Sequence, residues 1–277
     1  MPDRIDLHTH SHCSDGTLSP AALVELAVQR QVRLLALTDH DTLQGCAAAS
    51  HACAAQGVRF VPGVELSCDW QGREIHIIGL GVDPTETGLL AHCAAVCEQR
   101  RERVHAMIGR LAAAGLPAAE LAAAALEAPA PTRTHLARAL CRGGHSGSLE
   151  LAFERWLKRG RPGYVAARWP ALPVVVERIC AAGGLAVLAH PHRYPLSGGQ
   201  LRTLTGEFAS AGGSGLEVSL AGMGLKDLGR VASLARHHGL AGSVGSDFHE
   251  PDLPWRPLGR FDKLPDQIVP ITSRLQP

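Results

Sequence analysis

Residues Ile5 to Asp15 read Ile-Asp-Leu-His-Thr-His-Ser-His-Cys-Ser-Asp. The pattern predicts a short strand running into a loop. Strand side chains alternate between faces, so His8 and His10 point the same way. Two imidazoles on one face can hold one metal ion, and Asp15 on the loop can serve a second. A lone His-x-His pair is weak support for a metal site. Further segments repeat the setting, each an apolar stretch ending in polar groups: Asp39-His40-Asp41, Glu65 after Pro62-Gly63-Val64, His190-Pro191-His192, and Ser246-Asp247-Phe248-His249. His76 lies within a further apolar stretch, on one face with Ile78. Each group has a plainer use: His40 as a helix cap, Glu65 in a salt bridge, His190 in a core hydrogen bond. Together, His8, His10, Asp15, His40, Glu65, His76, His190, Asp247 and His249 supply imidazole and carboxylate but no thiolate. That donor set favours Mn, Zn or Fe, and nine groups suffice for two or three ions. His12 and His192 lie beside this set, and Glu217 sits on a strand where it can partner a ligating His or fill a core role.

The elements that position these groups alternate. Ser19-Pro20 begins a helix, with Ser19 as cap and Pro20 at the first position. Arg33 to Thr38 is a strand, Gly45 to Gln56 a helix, Val58 to Val64 a strand, and Arg73 to Val82 another. Strand and helix alternate again from Leu172 to Val244. This is the rhythm of a parallel α/β sheet or barrel. Strands near residues 5, 35, 61, 76, 187, 217 and 243 make seven. Polar residues at most strand ends favour a seven-stranded (β/α) barrel, whose strand ends share one mouth, over an open sheet. Between Thr87 and Leu126 the rhythm gives way to Ala-rich helix with a break at Gly115-Leu116-Pro117. Further helices follow at 134–142 and 149–158. The predicted organisation is a barrel of residues 1–86 and 167–277, carrying a helical cap of residues 87–166.

The net charge is +1, which argues against a general binder of long double-stranded nucleic acid. The distribution is uneven: residues 98–168 hold 12 Lys/Arg against 6 Asp/Glu, and the remainder balances at −5. An acidic body suits cations, and a basic segment suits an anion; a solvated Arg-rich helix face is the plain alternative. The anion-gripping candidates are Arg101, Arg103, Arg133, Thr134, His135 and Lys158. Arg133-Thr134-His135 combines a cation, a hydroxyl and an imidazole at a helix start. The eight Cys form no Cys-x-x-Cys pair and no apolar run is long enough to span a membrane. With a strand beginning within a few residues of Met1, these features predict a cytoplasmic protein with reduced thiols, as a monomer or small homo-oligomer.

His8-Thr9-His10, Thr38-Asp39-His40-Asp41-Thr42, Pro62-Gly63-Val64-Glu65, Glu74-Ile75-His76, Ala189-His190-Pro191 and Ser246-Asp247-Phe248-His249 resemble the motifs of the PHP (polymerase and histidinol phosphatase) phosphoesterases. The resemblance covers the barrel segments. It implies a distorted seven-stranded barrel with a trinuclear site: His8, His10, Glu65 and Asp247 on one ion; Glu65 bridging to a second completed by His76 and His190; and Asp15, His40 and His249 on a third. It implies attack on phosphorus by a hydroxide bridging two ions, with Glu65 and Asp247 as central groups. His192, or a water oriented by Asp247, is the source of the leaving-group proton.

Within the family, a small stand-alone chain with such an insertion is similar to nucleoside 3′,5′-bisphosphate phosphatases, whose relatives trim short 5′-phosphorylated RNA from the 5′ end. The resemblance therefore implies a small phosphorylated nucleotide, or short RNA, as substrate, and two to three divalent ions, Mn2+ foremost, as cofactor. Two other PHP readings are a histidinol-phosphate phosphatase and a non-catalytic binding module. A C–N amidohydrolase is a third, although no Lys occupies a strand end. No Gly-x-Ser-x-Gly or P-loop is present to support acyl-serine or nucleotide-motor chemistry.

Overall fold

The computed structural model describes residues 4–253 and 255–275. Seven strands follow in order: β1 (Arg4–Asp6), β2 (Val32–Leu37), β3 (Arg59–Trp70), β4 (Arg73–Leu80), β5 (Leu185–Leu188), β6 (Gly215–Leu220) and β7 (Ala241–Gly245). The two outer strands meet where Leu7 N donates to Val244 O (3.2 Å) and Asp247 N donates to His8 O (2.9 Å), which brings the sheet round on itself. Strand periodicity sorts the side chains. Leu7, Leu34, Ala36, Val61, Ile78, Val187 and Ala241 form an interior core with Ile271. Val64, Leu66, Ile75 and Ile77 instead pack outward with residues of α7 (Leu172–Ala181) and α8 (Gly198–Ser210). On the other side, α1 (Pro20–Gln29) and α2 (Cys46–Gln56) cover β2. The expected cap of α1 is present, Ser19 Oγ accepting from Ala22 N at 3.1 Å.

One strand departs from the all-parallel rhythm. β3 runs beyond Val64 to Trp70, and only Gln71 and Gly72 separate it from β4. Both have positive φ, 53° and 74°, the conformation of a tight hairpin turn. Two residues leave no room for a crossover helix, so β4 lies antiparallel to both β3 and β5. Its beginning, not its end, therefore reaches the mouth, and it brings Glu74 and His76 there.

Four helices lie between β4 and β5 apart from α7: α3 (Thr87–Ala113), α4 (Ala118–Ala125), α5 (Arg133–Arg142) and α6 (Leu149–Ala152). They share their own core of Met107, Leu111, Leu121, Leu136, Leu140 and Leu157. The helix expected over 149–158 divides into α6 and a five-residue π-helix, Phe153–Leu157, a form common at functional sites. Among the described residues, no helix is long and apolar enough to cross a membrane, and all eight cysteines are free thiols.

Candidate metal centre

The strand ends converge on one buried carboxylate. Glu65 Oε2 lies 3.1 Å from His8 Nε2, 3.2 Å from His10 Nε2 and 3.1 Å from His40 Nδ1. Its Oε1 lies 3.0 Å from both His76 Nδ1 and His190 Nε2. Asp247 Oδ1 faces His8, His10 and His249 at 3.4–3.5 Å. Asp15 Oδ1 lies 3.2 Å from His249 Nε2 and 3.6 Å from His40 Nε2. Burial alone would raise the Glu65 carboxyl, but the imidazoles, His40 and His8 foremost, hold it well below the usual carboxylate range. Asp15 and Asp247 are likewise held low against their burial, Asp15 by His40 and His249, and Asp247 by His8 and Arg193.

This packing is unsuited to hydrogen bonding alone. His8 Nε2 and His10 Nε2 lie 3.1 Å apart, both turned toward the same carboxylate. Asp15 Oδ1, His40 Nδ1 and His190 Nδ1 are buried without a hydrogen-bond partner. Buried polar atoms that lack partners are costly, and a divalent cation satisfies several lone pairs at once. Among the described residues, three groups have donor atoms within 4.8 Å of one another: His8, His10, Glu65 and Asp247; His10, Asp15, His40 and His249; and His40, Glu65 and His76. The donor set therefore fits divalent metal. The first group has the membership implied by the resemblance. In the second, His10 joins Asp15, His40 and His249, and in the third His40 stands where His190 was implied.

Asp39 had no role legible in the sequence, whereas Glu217 partners a candidate ligand His, one of the two uses its strand position allowed. Asp39 accepts from Ser11 N, Ser11 Oγ and Ser14 Oγ, each at 2.7 Å, and so shapes the loop that carries Asp15. Glu217 accepts from His8 Nδ1 at 2.8 Å and from the backbone N of His190 at 2.6 Å. Asp41, His190 and Asp247 have φ of 50°, 31° and 54°, left-handed conformations that side-chain-bearing residues seldom adopt and that cluster at functional sites.

The expected anion-binding residues separate into two sets. A cavity over the cluster is lined by Asp15, His40, His76, His190, Asp247 and His249 from the barrel. Arg100, Arg103, Thr132, Arg133, Thr134 and Phe153 line it from the inserted helices. Arg103 and Arg133 both pair with Glu74, at 3.5 and 3.4 Å. The others are engaged elsewhere. Arg101 donates to the carbonyls of Leu126, Ala128 and Pro129, closing the turn after α4. His135 Nδ1 accepts from Thr132 N, completing the capping box of α5. Lys158 pairs with Glu154 one helical turn away, exposed to solvent. His192 is outside the cavity lining, and burial together with Arg193 pushes its imidazole down to about 4. It is therefore neutral at pH 7 and stands away from the cavity. Arg256 was not foreseen, and it joins the cavity from the C-terminal segment.

A family model described as the PHP domain matches residues 6–153. The chain belongs to the PHP family. A protein of Chromobacterium violaceum named 3′,5′-nucleoside bisphosphate phosphatase is 40% identical over 274 residues, covering 98% of this chain and 96% of its own. A 5′-3′ exoribonuclease of Escherichia coli is 41% identical over 263 residues, 94% of this chain and 89% of its own. The structure of an amidohydrolase from Chromobacterium violaceum with bound sulfate and no metal is similar, with TM-score 0.92 and 39% identity over 98% of this chain and 95% of that one. A Bifidobacterium adolescentis protein described as a metal-dependent phosphoesterase gives TM-score 0.83 and 26% identity over 99% and 95%. This PHP chain is a metal-dependent phosphoesterase, with its candidate ligands gathered at the barrel mouth.

Proposed function

We propose that this PHP enzyme removes the 3′-phosphate of nucleoside 3′,5′-bisphosphates, leaving the nucleoside 5′-monophosphate, and trims short 5′-phosphorylated oligoribonucleotides from the 5′ end. The observation that carries this reading is the double character of one cavity. Its floor is the imidazole–carboxylate cluster and its roof carries Arg103 and Arg133. Guanidinium forks match phosphate oxygens, and Phe153 beside Arg133 offers an apolar wall to a nucleoside. A substrate with two phosphates satisfies both ends; histidinol phosphate would set its cationic tail against these arginines. The names of the two similar proteins, a bisphosphate phosphatase and an exoribonuclease, point the same way.

Divalent ions held here would neutralise phosphoryl oxygens and make water a competent nucleophile at neutral pH. Mixed imidazole and carboxylate donors favour Mn2+, with Zn2+ and Fe2+ sharing the preference. Glu65, kept ionised by its imidazoles, spans two donor groups. His8 and Asp247 fix the site from the first and last strands, and Glu217 orients the His8 ring. Arg103 and Arg133 grip the 5′-phosphate. The free thiols suit the reducing cytoplasm. Phosphate release by Mn-loaded protein from adenosine 3′,5′-bisphosphate, with histidinol phosphate in parallel, tests the reading. AMP is the expected product, and turnover of histidinol phosphate alone would overturn it.

A further inference from the structure

The inserted helices cover only part of the mouth. Thr132 and Arg138 bond to Asp15 after β1, Cys97 and Arg100 to Asp41 after β2, Arg100 to Ser67 on β3, and Arg133 to Glu74 on β4. Arg138 also pairs with Glu250 after β7. Among the described residues, none of their hydrogen bonds or ion pairs reaches the loops after β5 or β6. No polar contact from the inserted helices closes that side of the cavity, and that side has its own equipment. Arg193, after β5, pairs with Asp247 Oδ2, and Arg256 reaches the same oxygen at 3.0 Å. A guanidinium carries five N–H donors, so both retain donors for a phosphate. Beside Arg256 stands Trp255, 59% exposed. Its carbonyl rests on the loop after β6, where a Cβ at Gly222 would meet it at 3.0 Å. Trp70 and Trp169 are buried, and Trp156 bonds to His145 O. Trp255 has no stacking or hydrogen-bond partner among the described residues.

We infer that Arg193, Arg256 and Trp255 form a subsite for the nucleotide on the 3′ side of the scissile phosphate. The inference rests on the function proposed above and assigns its oligonucleotide branch to named residues. The chemistry is one step on either substrate. Water oxygen bonds to phosphorus, the P–O3′ bond breaks, and O3′ takes a proton and leaves with the nucleoside 5′-monophosphate under the inserted helices. The phosphorus substituent on the other side is a free oxygen in a bisphosphate and the O5′ of the next nucleotide in an oligonucleotide. Arg193 and Arg256 meet the phosphate there, and the next base stacks on Trp255, as bases stack on exposed aromatics in single-strand binders.

The test compares W255A, W255F and the unaltered protein on adenosine 3′,5′-bisphosphate and on 5′-phosphorylated diadenylate. W255A should lower kcat/KM on the dinucleotide about tenfold more than on the bisphosphate, mainly through KM, and W255F should recover most of the loss. An equal fall on both substrates, or none on the dinucleotide, would overturn the subsite. A titration of tryptophan fluorescence with the dinucleotide supplies a readout independent of turnover. The dinucleotide should quench emission in the unaltered protein and not in W255F; equal quenching in both would refute stacking at Trp255. If neither substrate is hydrolysed by the unaltered protein, the proposed function fails, and the quenching alone decides the subsite.

Discussion

Glu217 Oε1 lies 2.8 Å from His8 Nδ1, and Oε2 of the same fully buried carboxylate accepts from the backbone N of His190 at 2.6 Å. One side chain on β6 thus fixes the ring of a candidate ligand from β1 and the left-handed backbone of another after β5. Holding the proton on Nδ1 leaves His8 Nε2 as a lone pair turned toward Glu65, as a metal ligand requires. Glu217→Gln keeps the shape but sets an amide hydrogen against one of these donors. We expect metal affinity to fall by about 10–100-fold, measured by chelator competition, with the fold retained by circular dichroism. Unchanged affinity would reduce Glu217 to a packing role.

Asp6 closes the barrel. Its carboxylate accepts from Ser246 N, Ser246 Oγ and Gly259 N at 2.6–2.9 Å, joining β1 to the end of β7 and to the segment that carries Arg256. Burial pushes its carboxyl up to about 6, against the pull of those hydrogen bonds. A folded value above the unfolded one means that folding favours the protonated form. This group's contribution is therefore fullest below pH ~4 and declines as pH rises to ~6, by about 3 kcal/mol. The unfolding free energy of the unaltered protein relative to Asp6→Asn should fall across that window and stay level above it. Denaturant melts of both proteins at pH 4, 5, 6 and 7 measure this, and a constant difference would refute the assignment.

Arg100 anchors α3 to the barrel. Its guanidinium reaches Asp41 Oδ2 at 2.6 Å and Ser67 Oγ at 2.8 Å, all three side chains being buried, and it lies 5.1 Å from the ring centroid of Trp169. Arg100→Met leaves the Asp41 carboxylate buried without its counter-charge. Removing one partner of such a pair typically costs about 3–5 kcal/mol. We expect a lowered Tm, and faster proteolysis within residues 87–166 than in the barrel. The double variant Arg100→Met/Asp41→Asn should regain part of the loss, because the unpaired charge is then gone.

The metal-ligand candidates were legible because ligand chemistry and strand ends are both local: His-x-His, Asp-His-Asp and Asp-Phe-His each follow a short apolar stretch. The antiparallel β4 was not, because the strand expected over 58–64 ran on unbroken to a Gln71-Gly72 turn that only backbone conformation reveals. The cationic residues divided for a similar reason. Arg101 and Lys158 have the right charge, but tertiary position takes Arg101 to a helix end, and Lys158 pairs locally with Glu154, four residues before it. Arg193 and Arg256 stand outside the basic segment, and only the fold brings them to Asp247.

Arg133 gives the sharpest test of the roof over the cluster. It is half-exposed and paired with Glu74, a carboxylate that burial would raise but that Arg133, His76 and Arg103 hold well below its usual range. An incoming phosphate competes with Glu74 for the guanidinium and, with its greater charge, makes the stronger pair. Arg133→Ala should therefore raise KM for adenosine 3′,5′-bisphosphate by about 10–100-fold, the range for a hydrogen bond to a charged group. An aryl monophosphate has no second phosphate for Arg133, so its KM should change far less while kcat is retained on both. Steady-state kinetics on the two substrates measure the split. Equal effects would mean that Arg133 serves the scissile phosphate itself, and the two-ended reading of the cavity would fall.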